Sequence, residues 1–303
     1  MWSTRFEDAA EPLFPMQDRV CSQIAARLSH AIRSTEVERI RRQPAENLTV
    51  YQLCLRAAAF SRSGQHGNSA ALRLLRQALA RDGELGVAHA LAARCYHVQR
   101  LMGWVSPDDR RLEEGIHHAN AAVDLSCSDP EVLWMAGLAI MNISGDIPRG
   151  RSLIDQSLRM NPTSTNAWIA SCFLHVHAGD GDTATKHFGE AERLNPFDMS
   201  HHVQQNAAAT SYFVAEDFEA AYAASNACLA QRPGYTAGLR IKVASASLTG
   251  RVEEAQQAAR ELLALEPGAS IARMRDYWKG LAPNAPQALD AKLYGWRRAG
   301  MPE

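Results

Sequence analysis

Apolar residues recur along the chain at helical spacing, in short runs that come in pairs. Between Thr165 and Pro196 the pattern predicts two helices. The first runs from about Thr165 to His177, with Trp168, Ser171, Cys172 and His175 on one face. Gly179 ends it by accepting a backbone with positive φ. The second runs from about Asp182 to Leu194, with Ala184, Phe188, Ala191 and Leu194 as its buried stripe. Ala184 is small where the first helix crosses it. Pro196 lacks a backbone donor and restricts the residue before it, so the second helix stops there. One such hairpin cannot bury both faces, so stacked neighbours must complete its core.

The neighbours are present. Pro162, Pro196, Pro233 and Pro267 follow one another after 34, 37 and 34 residues. Gly150, Ala184, Ala221 and Ala255 keep the same phase, each preceded by a turn signal: Gly145-Asp146, Gly179-Asp180, Glu216-Asp217 and Gly250-Arg251. A period near 34 with marks in this order is the signature of the tetratricopeptide repeat. Thr236–Pro267 follows it with Leu239, Val243, Ala246, Val252, Ala255, Leu262 and Leu265, and Pro130–Pro162 with Leu133, Gly137, Ile140, Gly150, Ile154 and Leu158. Met199–Pro233 is expected to carry a first helix about one turn longer. Thr49–Asp82 and Gly86–Leu125 fit more loosely. The latter has an insertion around Leu101–Arg110, where Ser106-Pro107-Asp108-Asp109 reads as a fresh helix start.

The fold these marks imply is an all-α, right-handed solenoid of about six helical hairpins. Residues 1–44 form an entry segment and one long helix, with Val20, Ile24, Leu28, Ile32, Val37 and Ile40 as its stripe. Residues 45–267 form the repeat array, and 268–303 two short helices, Ile271–Leu281 and Gln287–Ala299, expected to cap the last repeat.

Composition narrows the function classes. Hydrophobic residues make up 46% of the chain, enough for a continuous core, and the net charge is −1. That balance offers no reason to expect direct nucleic-acid binding or an anionic membrane surface. No apolar run approaches the roughly 18 residues of a membrane span. Charges at Arg5, Glu7, Asp8, Glu11 and Asp18 exclude a secretory leader, which implies a cytoplasmic protein. The cysteines (Cys21, Cys54, Cys95, Cys127, Cys172 and Cys228) lie far apart in sequence and read as small, reduced packing residues.

Catalytic and cofactor signatures are absent: no Walker loop, GxSxG, HExxH or dinucleotide-binding glycine pattern. His117-His118 and His201-His202 are adjacent, and His175 and His177 two apart, so none has the i, i+4 spacing that chelates a metal on one helix. The expectation is a non-enzyme with no cofactor and no metal, binding a protein or peptide in a groove lined by the first helices of the hairpins. The candidate groove residues are Trp134, Asn142, Asn166, Phe173, His177 and Arg240. Trp134 and Phe173 either face the partner or pack between first helices. Asn142 and Arg240, taken as exposed, are expected to be replaceable at little cost in stability.

Beyond the repeat, the chain resembles the C-terminal tetratricopeptide region of bacterial class III adenylate cyclases and of related winged-helix transcriptional regulators. The matching runs are Trp2–Glu7, Leu13–Val20, Pro44–Leu48 with Tyr51–Arg56, Gly103-Trp104, Asn195–Asp198, Arg232–Gly234 and Arg298–Glu303. In those proteins a cyclase or winged-helix output domain lies upstream, and this chain carries neither its metal carboxylates nor a DNA-reading helix. The resemblance therefore implies a sensing or scaffolding half, with a partner protein or a separately encoded output domain as its target.

Overall fold

The computed structural model of the protein describes residues 35–40, 43–61, 63–106, 108–195, 201–282 and 284–303, the side chains of 280 and 281 excepted. The described residues contain no strand. Of the long N-terminal helix, residues 35–40 are helical, with Ile40 fully buried; the rest of the entry segment lies outside the described residues.

Fourteen α-helices follow a short 3₁₀ turn at Ala45–Asn47. Twelve form six hairpins: α1 (Val50–Phe60) with α2 (Gly64–Arg81), α3 (Gly86–Leu101) with α4 (Arg111–Ser126), α5 (Pro130–Ser144) with α6 (Ile147–Met160), α7 (Thr165–Ala178) with α8 (Gly181–Leu194), α9 (His201–Val214) with α10 (Phe218–Gln231), and α11 (Thr236–Leu248) with α12 (Val252–Leu265). The last two helices are α13 (Ile271–Leu281) and α14 (Pro286–Arg298). Each helix packs on its hairpin partner, and first helices also pack on first helices of the next unit: α3 on α5, α5 on α7, α7 on α9 and α9 on α11. Those first helices form the inner wall of the array.

The turn signals have a two-part explanation. Gly145 and Gly179 close α5 and α7 in the left-handed region, with φ of 75° and 77°. The aspartate that follows then caps the second helix: Asp146 accepts from Arg149 N, Asp180 from Thr183 N, and Asp217 from Ala220 N. Glu216 takes glycine's place in the fifth hairpin and adopts φ 62°, the one non-glycine residue with positive φ among those described. The small residues mark crossings. A Cβ on Gly137 would stand 2.8 Å from the Gly150 carbonyl oxygen, and one on Gly150 would stand 2.8 Å from that of Gly137.

The longer first helix expected within Met199–Pro233 begins in residues 196–200, which lie outside the described set; its described part is His201–Val214. Two local expectations change. Ser106 does not start a helix. Its hydroxyl bonds to the Asp108 carboxylate, and Asp109 accepts from Arg111 N, so the chain turns once more and α4 begins at Arg111. Leu265, assigned to a buried stripe, is 54% exposed and sits on the last turn of α12 beside Gly234.

The core runs as two clusters that meet on α7. Ala167, Ala170 and Leu174 belong to the N-terminal one, Ile169, Cys172 and Val176 to the C-terminal one, and Phe173 packs against both. The cysteines at 54, 95 and 172 are buried in these clusters, Cys228 is buried apart from them beside Tyr235 and Ala237, and Cys127 is exposed, while Cys21 lies outside the described residues.

Candidate functional site

The inner wall is occupied by the protein's own C-terminus. Helix α14 lies along α11 at the close distance that a glycine permits: a Cβ on Gly295 would stand 2.8 Å from the Ala244 carbonyl oxygen. The neighbouring Trp296 is 1% exposed and donates its indole N–H to the Arg240 carbonyl at 3.1 Å. One turn earlier, Lys292 is 2% exposed. Its Nζ sits 3.6 Å from the centre of the Trp278 ring and 5.3 Å from that of Phe213, on α9. The turn between α13 and α14 reaches α7, where a Cβ on Gly179 would stand 2.5 Å from the Asn284 carbonyl oxygen. The pair therefore crosses α11, α9 and α7 on their inner face. The two helices thus cover the final repeat through α14 on α11, and they reach beyond it to α9 and α7 because Gly295, Ala244 and Gly179 let the backbones meet.

A second part of the chain closes the groove from the other side. The insert after α3 crosses to the sixth hairpin. Leu101 O accepts from Arg240 Nη1 at 2.6 Å and Met102 O from Thr236 Oγ1 at 3.4 Å. Met102 is buried with Cys228, Tyr235 and Ala237, and Trp104 packs against them. Gly103 has φ 71°, and a Cβ there would stand 2.4 Å from Glu266 Oε1. The C-terminal residues lock the arrangement: Ile271 N donates to Pro302 O at 2.8 Å and Met301 N to Trp296 O at 3.1 Å.

The six sequence-derived groove residues do not form one surface. Trp134 is 6% exposed, donates to Glu131 Oε2 and lies under the Arg94 guanidinium; it packs between first helices. Asn142 is 4% exposed and its Nδ2 donates to Leu138 O, one turn back on the same helix. Asn166 is exposed on the first turn of α7, and Phe173 is half-buried. His177 is buried, with no partner for Nδ1. Arg240 is 8% exposed and tied to Glu266 Oε2 at 2.6 Å. Both Asn142 and Arg240 are thus buried, contrary to the premise that they can be replaced without loss of stability.

The wall they belong to is polar for a buried surface. Nδ1 of His97 on α3, Nδ1 of His177 on α7, Oδ1 of Asn206 on α9 and Oγ of Ser247 on α11 are all buried without partners. Burial pushes His97 down to about 3, with the nearby charges of Arg94, His177 and Arg100 adding to it. Burial, then the charge of Lys292, pushes His177 down to about 4. Both are neutral imidazoles at neutral pH. Lys292 is itself held well below the ordinary lysine value, by burial first and by Arg240 second.

Histidines also pair across helices, which the spacing within single helices does not reveal. His118 Nδ1 lies 2.9 Å from His89 Nδ1, and the His175 and His187 rings are 4.8 Å apart. Among the described residues no group of three His, Cys, Asp or Glu side chains could hold a metal ion, and no helix is long and apolar enough to cross a membrane.

Where the insert, the end of α12 and α13 meet, a small cavity remains. Its polar lining is Arg100, Arg240, Arg273, Glu266, Ser270 and Tyr277. Apart from Arg240, none of these residues stood out in the sequence, because the insert and the C-terminal helices read there as separate peripheral elements.

No protein-family model matches the chain, and no curated protein matches it. Solved structures do. The chain is similar to one chain of the APC/C hetero-tetramer Cut9–Hcn1, with TM-score 0.56 and 14% identity over 86% of this chain and 45% of that one. It is also similar to the human IFIT1 dimer with m7Gppp-AAAA, with TM-score 0.61 and 14% identity over 83% of this chain and 59% of that one. A tetratricopeptide repeat protein from Parabacteroides merdae aligns over 83% of this chain and 92% of its own, with TM-score 0.44 and 13% identity. The chain spans about half the length of the first two. At such identities the likeness shows the fold alone. That fold is a tetratricopeptide-type α-solenoid.

Proposed function

We propose that the protein is a non-catalytic scaffold that receives a protein or peptide in the concave groove of its array, where its own α14 now lies. The observation that supports this is the mismatch between the wall and its present occupant. Buried polar atoms on α7, α9 and α11, the helices that the C-terminal pair crosses, find no partner among the described residues, and neither does His97 Nδ1 on α3. Each such group costs about 1–3 kcal/mol when left unpaired. A partner that supplies those hydrogen bonds would occupy the same wall more favourably than α14 does. The net charge of −1 favours protein over nucleic acid as that partner.

Affinity capture from the source cells, with the parent chain and a Gly295→Leu variant, tests the reading. Leucine at 295 collides with the α11 backbone at Ala244 and opens the groove. A protein captured more strongly by the variant, and lost again when Asn166 and Phe173 are replaced by alanine, supports the groove as its site. Equal capture by the parent and the variant places the interface elsewhere.

The resemblance to the regulatory regions of class III cyclases and winged-helix regulators supports a narrower, second reading, in which the partner is an output domain. The two family-like runs at Gly103-Trp104 and Arg298–Glu303 coincide with the two segments that hold the groove closed. Co-purification with a separately expressed cyclase or winged-helix domain from the same cells tests it.

A further inference from the structure

Three guanidinium groups converge on the cavity at the closing seam. Arg100 comes from the last turn of α3, Arg240 from α11, and Arg273 from the first turn of α13. Among the described residues only one of the three positive charges is matched. Arg240 pairs with Glu266 at 2.6 Å and spends its other nitrogen on Leu101 O. Arg100 reaches only the Ile143 carbonyl, at 3.4 Å, and its Nε is buried with no partner. Arg273 Nη1 donates to the Gly268 carbonyl at 3.0 Å and meets no carboxylate. Tyr277 lines the same cavity, and burial raises its pKa, which keeps the hydroxyl protonated and able to donate. The room is about 50 Å³, several times the roughly 10–15 Å³ that a single water needs by the same measure.

We propose that this cavity is a binding site for a phosphate-type dianion. Two unmatched guanidiniums call for two negative charges, which a carboxylate does not supply. Arginine also presents forked donors that suit tetrahedral oxyanions. Arg240, nine-tenths buried and fixed by its two contacts, forms the rigid side of the site, and the exposed Arg273 forms its mouth. The walls come from the insert, the sixth hairpin and α13, so a bound dianion ties together the segments that close the groove. Its binding does not depend on the identity, or the existence, of a groove partner.

The test is a thermal-unfolding titration of the full chain with sodium phosphate, matched at each point by sodium chloride of equal ionic strength. Phosphate should raise the melting temperature saturably where chloride does not. Arg273→Gln, at an exposed position that leaves the core intact, should weaken the apparent affinity by about tenfold or more, the size of a lost hydrogen bond to a charged group. Tyr277→Phe should weaken it less, and Arg260→Gln, on the outer face of α12, not at all. Glycerol 3-phosphate and acetate give the remaining arms. Tighter binding of glycerol 3-phosphate than of phosphate assigns a phosphomonoester ligand, and the reverse order assigns free phosphate. No saturable effect of either, acetate binding as well as phosphate, or equal affinities in Arg273→Gln and Arg260→Gln overturns the proposal.

Discussion

Acidification tests the buried wall of the groove. His97 and His177 are 6% and 7% exposed, and burial holds them at about 3 and about 4. In the unfolded chain both return to an ordinary value near 6.5 and take up a proton that the folded state refuses. The folded state binds fewer protons, so stability falls as pH falls. Their contribution is fully present above about pH 6.5 and is lost progressively down to about pH 4 for His177 and about pH 3 for His97. Each histidine removes ~1.4 kcal/mol per pH unit in that window, so at pH 5 the two together remove ~4 kcal/mol. A domain stable by ~5–15 kcal/mol loses a large share of its margin there. His118, also lowered to about 4 but half-buried, acts in the same direction with a smaller, solvent-screened effect. The half-buried carboxylates of Glu36 and Asp109, held at about 2, contribute stability that is lost only as pH falls from their ordinary values near 4 toward 2, below that window. Urea unfolding followed by circular dichroism at pH 7.5, 6.5, 5.5 and 5.0 measures the slope. It should correspond to about two protons taken up on unfolding, and His97→Gln and His177→Gln should each remove about one. Equal stability at pH 7.5 and 5.0, or a slope unchanged in the double variant, refutes the reasoning.

Three further outcomes follow from individual contacts. Lys292→Met should raise stability at neutral pH by ~1 kcal/mol or more, because it removes a buried amine that no carboxylate compensates. The gain should shrink as pH rises toward the ordinary lysine pKa, and denaturation at pH 7 and pH 10 compares the two. Arg240→Ala should destabilise the chain by ~3 kcal/mol in the same assay, since it leaves Glu266 largely buried and unpaired. Glu216→Gly should stabilise it by ~1 kcal/mol, because glutamate there holds a left-handed conformation that glycine adopts freely.

The array was legible because its marks are local. Each glycine or aspartate between α5 and α6, or between α7 and α8, serves a cap within its own hairpin, and each pre-proline residue ends its own helix, so spacing alone places them. Asp180, Ala184 and Asn195 could be assigned without knowing anything distant. The groove was not legible in this way. Arg240 meets Leu101 across 139 positions and Gly295 meets Ala244 across 51. Neither contact has a periodic signature. Lys292, Trp296 and Tyr277 carried no mark in the sequence, and reading α13 and α14 as a cap left His177 and Arg240 on an open groove that these helices cover. The nearest signal was the Gly103-Trp104 pair in an insert, a glycine and a large aromatic where a helical repeat needs neither. Arg100, Arg273 and Glu266 carried no signal, since single charges near helix ends are ordinary solvated residues until the fold brings them together.

An occupied groove requires α14 to lie against α11. A nuclear Overhauser experiment on the intact protein, selectively protonated at glycine and alanine, reads that contact. Strong cross-peaks are expected between the Gly295 α-protons and the Ala244 α-proton, since a Cβ on Gly295 would stand 2.9 Å from Ala244 Cα. Assigned Gly295 resonances without any cross-peak to Ala244 would contradict it and leave the groove open.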